Sequence, residues 1–225
     1  EEGYENWNDI IAKTEPYKEN YVPAGNDIST IIYTSGTTGL PKGVVHTVHS
    51  FSYAVCWAFT VLEDLTDKER FFSYLPLSHI AERMLVEMGG LYSGATISFA
   101  ESLDLFAANL KDTKPTIFLA VPRIWTKFQM GILGKMPQNK LNLLLKIPII
   151  NNIIKKKIKE GLGLDHAKYL LTGAAPLPVA TMLWFEKLGF IIYEAYAMTE
   201  NCAYSHLNRK EKRKPGYAGA ARLHR

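Results

Sequence analysis

From Ile28 to Tyr193 the chain alternates short apolar runs with longer stretches in which apolar residues recur every three or four positions. Runs of the first kind have strand length and those of the second suit one face of a helix, so strand and helix are expected in turn. The candidate strands are Ile28–Tyr33, Phe71–Leu75, Ala95–Phe99, Thr116–Ala120, Tyr169–Leu171 and Phe190–Tyr193. The candidate helices are Ser50–Leu62, Ile80–Tyr92, Leu103–Lys111, Arg123–Leu133, Lys140–Lys146, Ile149–Glu160 and Pro178–Leu188. Alternation of this kind predicts an α/β fold: a layered, largely parallel sheet flanked by helices. Residues 135–164, punctuated by Pro137, Pro148, Gly161 and Gly163, read as a helical insertion between two such units. Residues 1–27 are polar, lack sustained periodicity and read as the tail of a preceding region plus a linker.

The first strand runs into Thr34-Ser35-Gly36-Thr37-Thr38-Gly39-Leu40-Pro41-Lys42-Gly43, which is expected to precede an apolar helix. Glycines let a backbone turn sharply and approach a ligand with no Cβ in the way. The hydroxyls of Thr34, Ser35, Thr37 and Thr38 and the amides between them can donate to phosphate oxygens, and Lys42 adds a positive charge. A phosphate-binding loop is therefore expected. It is not a Walker A loop, because Gly43 follows Lys42 where that motif needs Ser or Thr.

The same segment resembles the signature loop of the adenylate-forming superfamily, which includes acyl-CoA synthetases, luciferases and peptide-synthetase adenylation domains. Further resemblances follow in the family's order. Tyr74-Leu75-Pro76-Leu77-Ser78-His79-Ile80-Ala81-Glu82-Arg83 is similar to the next core motif in its long-chain fatty-acyl-CoA synthetase form, and Val121-Pro122-Arg123-Ile124-Trp125 also fits that branch. Leu171-Thr172-Gly173-Ala174-Ala175-Pro176-Leu177 resembles the adenine-contacting segment, and Tyr196-Ala197-Met198-Thr199-Glu200 resembles the Tyr-Gly-x-Thr-Glu motif. The matches span Thr34 to Glu200.

What the resemblance implies is the large N-terminal domain of a long-chain fatty-acid–CoA ligase, with ATP, Mg²⁺ and coenzyme A as cofactor and co-substrates. Thr34, Ser35, Gly36, Thr37, Thr38, Gly39 and Lys42 would hold the outer phosphates. Thr199 would donate to the α-phosphate and Glu200 would ligate Mg²⁺. Gly173, Ala174, Ala175 and Pro176 would wall the adenine site, with Tyr196 stacked on or beside the ring. His79 would stand where the acyl tunnel meets the nucleotide site. Alanines 195 and 197 stand where the family usually carries glycine; a left-handed backbone there would be strained. No residue after Glu200 matches the ribose-binding aspartate, the following arginine or the small C-terminal domain with its catalytic lysine, so residues 28–225 are expected to be a partial AMP-binding domain unable to complete both half-reactions alone. The alternatives are an adenylation domain for an aryl or amino acid, and a truncated, non-catalytic nucleotide-binding module.

Composition narrows the setting. Hydrophobic residues at 47% and charged residues at 21% exclude a disordered chain. The net charge of +4 reflects two basic runs, at Lys155–Lys159 and Arg209–Lys214. No aromatic residues interleave them, so they read as solvated helix faces and a surface loop rather than a nucleic-acid platform. Glu82 and Arg83 are expected to pair, His46 and His49 to pack in a loop, and Trp125 and Trp184 to lie in the core. The stretch Val44–Leu62 lacks formal charge but holds too many polar groups for lipid, and reads as a buried loop leading into a helix. Two distant cysteines, Cys56 and Cys202, suit a reducing cytoplasm. Small-molecule substrates are the expected partners. The apolar run Leu141–Ile150 is expected to be a buried helix face, with contact to a long acyl chain or a weak peripheral contact to membrane as its second reading.

Overall fold

The computed structural model describes residues 6–18, 20–35, 39–62 and 65–221. Five strands form a parallel sheet in the order β4 (Thr96–Phe99), β3 (Arg70–Ser73), β5 (Ile117–Ala120), β6 (Tyr169–Thr172) and β7 (Ile192–Tyr196). Two short antiparallel strands, β8 (His206–Leu207) and β9 (Ala220–Ala221), extend it beyond β7. Alternate residues of the central strands enter two separate cores, as the period of two requires. Phe72, Phe118, Leu170 and Ile192 point to one face; Phe71, Ile117, Leu171 and Tyr193 point to the other.

The first face is covered by α4 (Phe106–Thr113), α5 (Pro122–Lys135), α6 (Gln138–Leu145), α7 (Pro148–Leu162) and α8 (Val179–Lys187). Trp125, Phe118 and Phe185 interlock edge to face at 5.3–5.9 Å at its centre. Burial of each such ring contributes about 2–3 kcal/mol. Both α5 and α7 begin with proline at their first turn, where the missing N–H leaves nothing unsatisfied. Helix α7 ends at Gly163, φ +71°, and a Cβ there would lie 2.4 Å from the Lys111 Cα. Only glycine lets α7 close on α4.

The second face is covered by α2 (Val48–Val61), a π-helical segment (Glu82–Met88) and α3 (Gly89–Ser93), into which it continues. Helix α2 starts with a reciprocal cap: Thr47 Oγ1 accepts from the Ser50 amide at 3.2 Å, and Ser50 Oγ accepts from the Thr47 amide at 3.0 Å. A Cβ on Gly89 would stand 2.3 Å from the Phe59 ring, so the glycine allows α3 to lie directly on α2. Ahead of α2 stands an antiparallel hairpin, β1 (Ile28–Thr34) and β2 (Lys42–Thr47), which contributes Ile32 to the core. A short helix, α1 (Trp7–Lys13), carries no buried residue.

Several expectations are corrected. A strand, β2, separates the expected phosphate loop from α2, so Val44–Leu62 is strand then helix rather than a buried loop leading into one. His46 accordingly lies on β2, buried, and His49 lies exposed in the first turn of α2. Arg83 pairs with Glu87 at 3.0 Å, one helical turn on, while Glu82 turns inward and is buried. Arg213 is no solvated loop charge: its Nε donates to the Ile192 carbonyl at 2.9 Å and Nη1 to Glu186 at 3.0 Å. The run Leu141–Ile150 is divided, with Leu141 buried and Leu143, Ile147 and Ile149 exposed. Trp184 is partly buried, its indole donating to Gln138 Oε1 at 2.8 Å. Among the described residues no helix is long and apolar enough to cross a membrane.

Candidate functional site

Parallel strands deliver their C-terminal ends to one rim, where loops can converge on a ligand. Here β5, β6 and β7 end at Ala120, Thr172 and Tyr196, and a cavity of about 270 Å³ opens beside them. Part of its lining is apolar, built from Phe59 of α2, Leu62 just beyond that helix, and Met84 and Leu85 of the π-helical segment. The lining also holds residues that the sequence marks: Gly173, Ala174, His79 and Thr199, together with Ala195 and Ala197. An apolar compartment and residues of three motifs therefore share one space.

The segment carrying His79 is fastened to the sheet. Tyr74 donates its hydroxyl to the Leu119 carbonyl at 3.1 Å, and burial holds that phenol well above its ordinary pKa. His79 Nδ1 accepts from the Ala81 amide at 3.2 Å. The ring thus caps the turn that follows while lining the cavity, and in its neutral form the proton sits on Nε2. Burial raises the Glu82 carboxyl above its ordinary value, an effect opposed by the Ser73 hydroxyl and the amides of Leu75 and Tyr74.

After β7 the chain makes a tight turn, Thr199–Asn201, followed by Cys202 and Ala203 with φ of +55° each. Cys202 lines the cavity and places Sγ 3.2 Å from His46 Nδ1. That contact ties β2, and with it the β1–β2 hairpin, to the Thr199–Glu200 turn. Burial lowers the His46 pKa, countered by the Thr199 backbone and the charge of Glu200. Burial also pushes the Cys202 thiol up, so the pair is a neutral thiol against a neutral imidazole.

The other marked residues that are described lie outside the cavity. Thr34 and Lys42 face each other across the hairpin, the Thr34 hydroxyl donating to the Lys42 carbonyl at 3.4 Å. Ser35, Gly39 and Lys42 are exposed; Gly36, Thr37 and Thr38 fall outside the described residues. Ala175 and Pro176 are exposed beyond Ala174, and Glu200 is exposed beside Thr199. Tyr196 is exposed and meets the His206 ring edge-on at 5.7 Å. Ala195 and Ala197 do not adopt positive φ; the alanines that do are Ala174, at +66°, and Ala203. Among the described residues no three His, Cys, Asp or Glu side chains gather at one point. A cation at Glu200 would take its other ligands from phosphate oxygens and water, which suits Mg²⁺.

Sequence reading missed Glu194. It is buried on β7, and its Oε1 accepts from the Leu177 amide at 3.1 Å, at the far end of the Gly173–Leu177 loop. The available signal was a carboxylate directly following the apolar run Ile191-Ile192-Tyr193.

Known proteins decide the family. The model of the AMP-binding enzyme family matches residues 2–223. The chain belongs to that family. Within it, the long-chain-fatty-acid–CoA ligase ACSBG2 of Xenopus laevis is 35% identical over 208 residues, covering 78% of this chain and 28% of its own length. Long chain acyl-CoA synthetase 3 of Arabidopsis thaliana is 33% identical over 204 residues, covering 79% and 30%. The inhibitor-bound crystal structure of the N-terminal domain of FACL13 from Mycobacterium tuberculosis superposes with a TM-score of 0.70 at 26% identity, over 96% of this chain and 48% of that one. The AMP-binding chain thus has the fold of an acyl-CoA ligase N-terminal domain and spans less than a third of the two curated relatives.

Proposed function

We propose that this AMP-binding chain is the nucleotide- and acyl-binding part of a long-chain fatty-acid–CoA ligase. The observation that carries the reading is the shared cavity, whose apolar wall of Phe59, Leu62, Met84 and Leu85 runs up to Gly173, Ala174 and Thr199. An alkyl tail fits the first part and the acyl-phosphate junction the second. In the first half-reaction a carboxylate oxygen attacks the α-phosphorus of ATP. The bond from that phosphorus to the bridging oxygen breaks, leaving acyl-adenylate and pyrophosphate. In the second, the sulfur of coenzyme A attacks the acyl carbonyl and AMP departs.

Such transfers run on positioning and charge neutralisation. Thr34, Ser35, Gly36, Thr37, Thr38, Gly39 and Lys42 hold the β- and γ-phosphates, and Thr199 donates to the α-phosphate. Glu200 holds Mg²⁺, which when bound neutralises phosphate charge. Gly173, Ala174, Ala175 and Pro176 wall the adenine, with Tyr196 at its edge. His79, its ring fixed through Nδ1, marks the junction between tail and nucleotide. On this reading the residues needed for the ribose and for the thioester step come from parts of the ligase outside this chain, in keeping with the small share of each relative it covers. The free thiols Cys56 and Cys202 favour a cytoplasmic setting. The exposed Leu143, Ile147 and Ile149 leave room for weak peripheral membrane contact.

Hydroxamate trapping tests this reading in the intact ligase, with ATP, Mg²⁺ and a panel of acids. Trapped product from long-chain fatty acids is expected to exceed that from aryl or amino acids at least about tenfold, a difference of roughly 1.4 kcal/mol in transition-state binding. Preference for an aryl acid, or no product from any acid, would sink it.

A further inference from the structure

The loop from Gly173 to Leu177 passes from β6 to α8 with few means of holding its shape. Pro176 and Pro178 have no N–H, so across residues 176–178 the Leu177 amide is the one backbone donor. It donates to Glu194 Oε1 at 3.1 Å, and both residues are buried. Glu194 is itself fixed from both sides. It stands opposite Thr172 in the parallel register of β6 and β7, and its carbonyl accepts from the Asn208 amide at 3.2 Å. Upstream, Ala174 holds φ at +66°, a conformation alanine adopts only when its surroundings impose it. A Cβ on Gly173 would lie 3.4 Å from the Ala195 carbonyl, so loop and strand run at contact distance. Gly173, Ala174 and Ala195 all line the cavity.

We propose that Glu194 is a positioning residue, which sets the width of the nucleotide slot between the Gly173–Leu177 loop and the Ala195–Thr199 segment. The proposal rests on the reading of this site as an ATP site. The carboxylate anchors Leu177, and that anchor keeps the left-handed turn at Ala174 pressed toward β7. Oε1 carries the bond, while the buried Oε2 has no hydrogen-bond partner among the described residues. Glutamine therefore preserves the function, because it keeps the accepting oxygen. Methionine fills the same volume and removes it.

The test compares Glu194→Met and Glu194→Gln with the unaltered chain in two measurements. Calorimetric titration with ATP reads the slot, and hydrogen exchange at the Leu177 amide reads the anchor without any ligand. Glu194→Met is expected to weaken ATP binding about tenfold and to speed Leu177 exchange by at least a similar factor. The amides of Leu170 and Leu171, held in the sheet, should keep their protection. Glu194→Gln is expected to stay within about threefold in both readings. Equal losses in the two variants would overturn the acceptor role, as would unchanged Leu177 exchange in Glu194→Met. Tight ATP binding that survives Glu194→Met would overturn the slot-setting role alone. An unaltered chain that binds no ATP would end the nucleotide reading and the slot-setting role together, while Leu177 exchange still reported on the anchor.

Discussion

At the scale of single residues, two buried carboxylates stand behind the segments that line the cavity. Glu82 and Glu194 both stand inside the protein, close to loops that line the cavity. Glu82 makes a prediction with a definite sign. Its carboxyl is raised by burial above the ordinary 4.5, so the folded state holds a proton that the unfolded state has already released. The stability this contributes is full below pH 4.5 and is lost as pH rises through the higher folded value. Glu82→Gln removes that titration. The melting temperature of the variant, relative to the original, is expected to be higher at pH 7 than at pH 4; a difference that does not change with pH would refute the assignment. The loop from Thr34 to Gly43 stood out in the sequence because hydroxyls, glycines and one lysine in a short loop have few other uses. The inward turn of Glu82 was not legible. Spacing offers Arg83 the neighbouring Glu87 at i+4, but only packing shows that Glu82 points away.

Among elements, the parallel strands β3, β5, β6 and β7 were readable because burial on both faces leaves short apolar runs, and the edge strand β4 (Thr96–Phe99) by its alternation with the helices around it. Two failures have physical causes. Strand β2 places His46 inward and Val45 outward, the reverse of what hydrophobic alternation leads one to expect. Strand β7 runs on through Glu194 to Tyr196, although an acidic residue reads as the end of a buried strand; the Leu177 amide gives its buried carboxyl a hydrogen bond. Strands β8 and β9 span two residues each, too short for any pattern to register. The helices from α2 onward were found because they carry apolar stripes, whereas α1 buries nothing and lies in the stretch read as a linker; helix ends follow local chemistry. Gly163 is the sharpest such end. Gly163→Ala combines positive φ with a collision against the Lys111 backbone, and is expected to destabilise the fold by about 2–4 kcal/mol. Denaturant unfolding measures this, and a loss below about 0.5 kcal/mol would contradict the close packing of α7 on α4.

For the whole molecule, the sheet separates two cores and assigns them different work. One core, centred on Trp125, Phe118 and Phe185, is closed and supports the strands. The other leaves a cavity between α2, the π-helical segment and the ends of β5 to β7. That cavity was beyond the sequence, since it depends on how Phe59, Met84 and Gly89 settle against one another across the fold. The central claim is that an acyl tail and an adenylate occupy one continuous space. A long-chain acyl-sulfamoyl adenosine, which joins the two through a stable linkage, tests it most directly by calorimetric titration into this chain. The account predicts that it binds at least about a hundredfold more tightly than AMP, roughly 2.7 kcal/mol from added tail contacts. It also predicts that shortening the acyl chain to acetyl abolishes that gain. Equal affinity for the long-chain compound, its acetyl counterpart and AMP would contradict it.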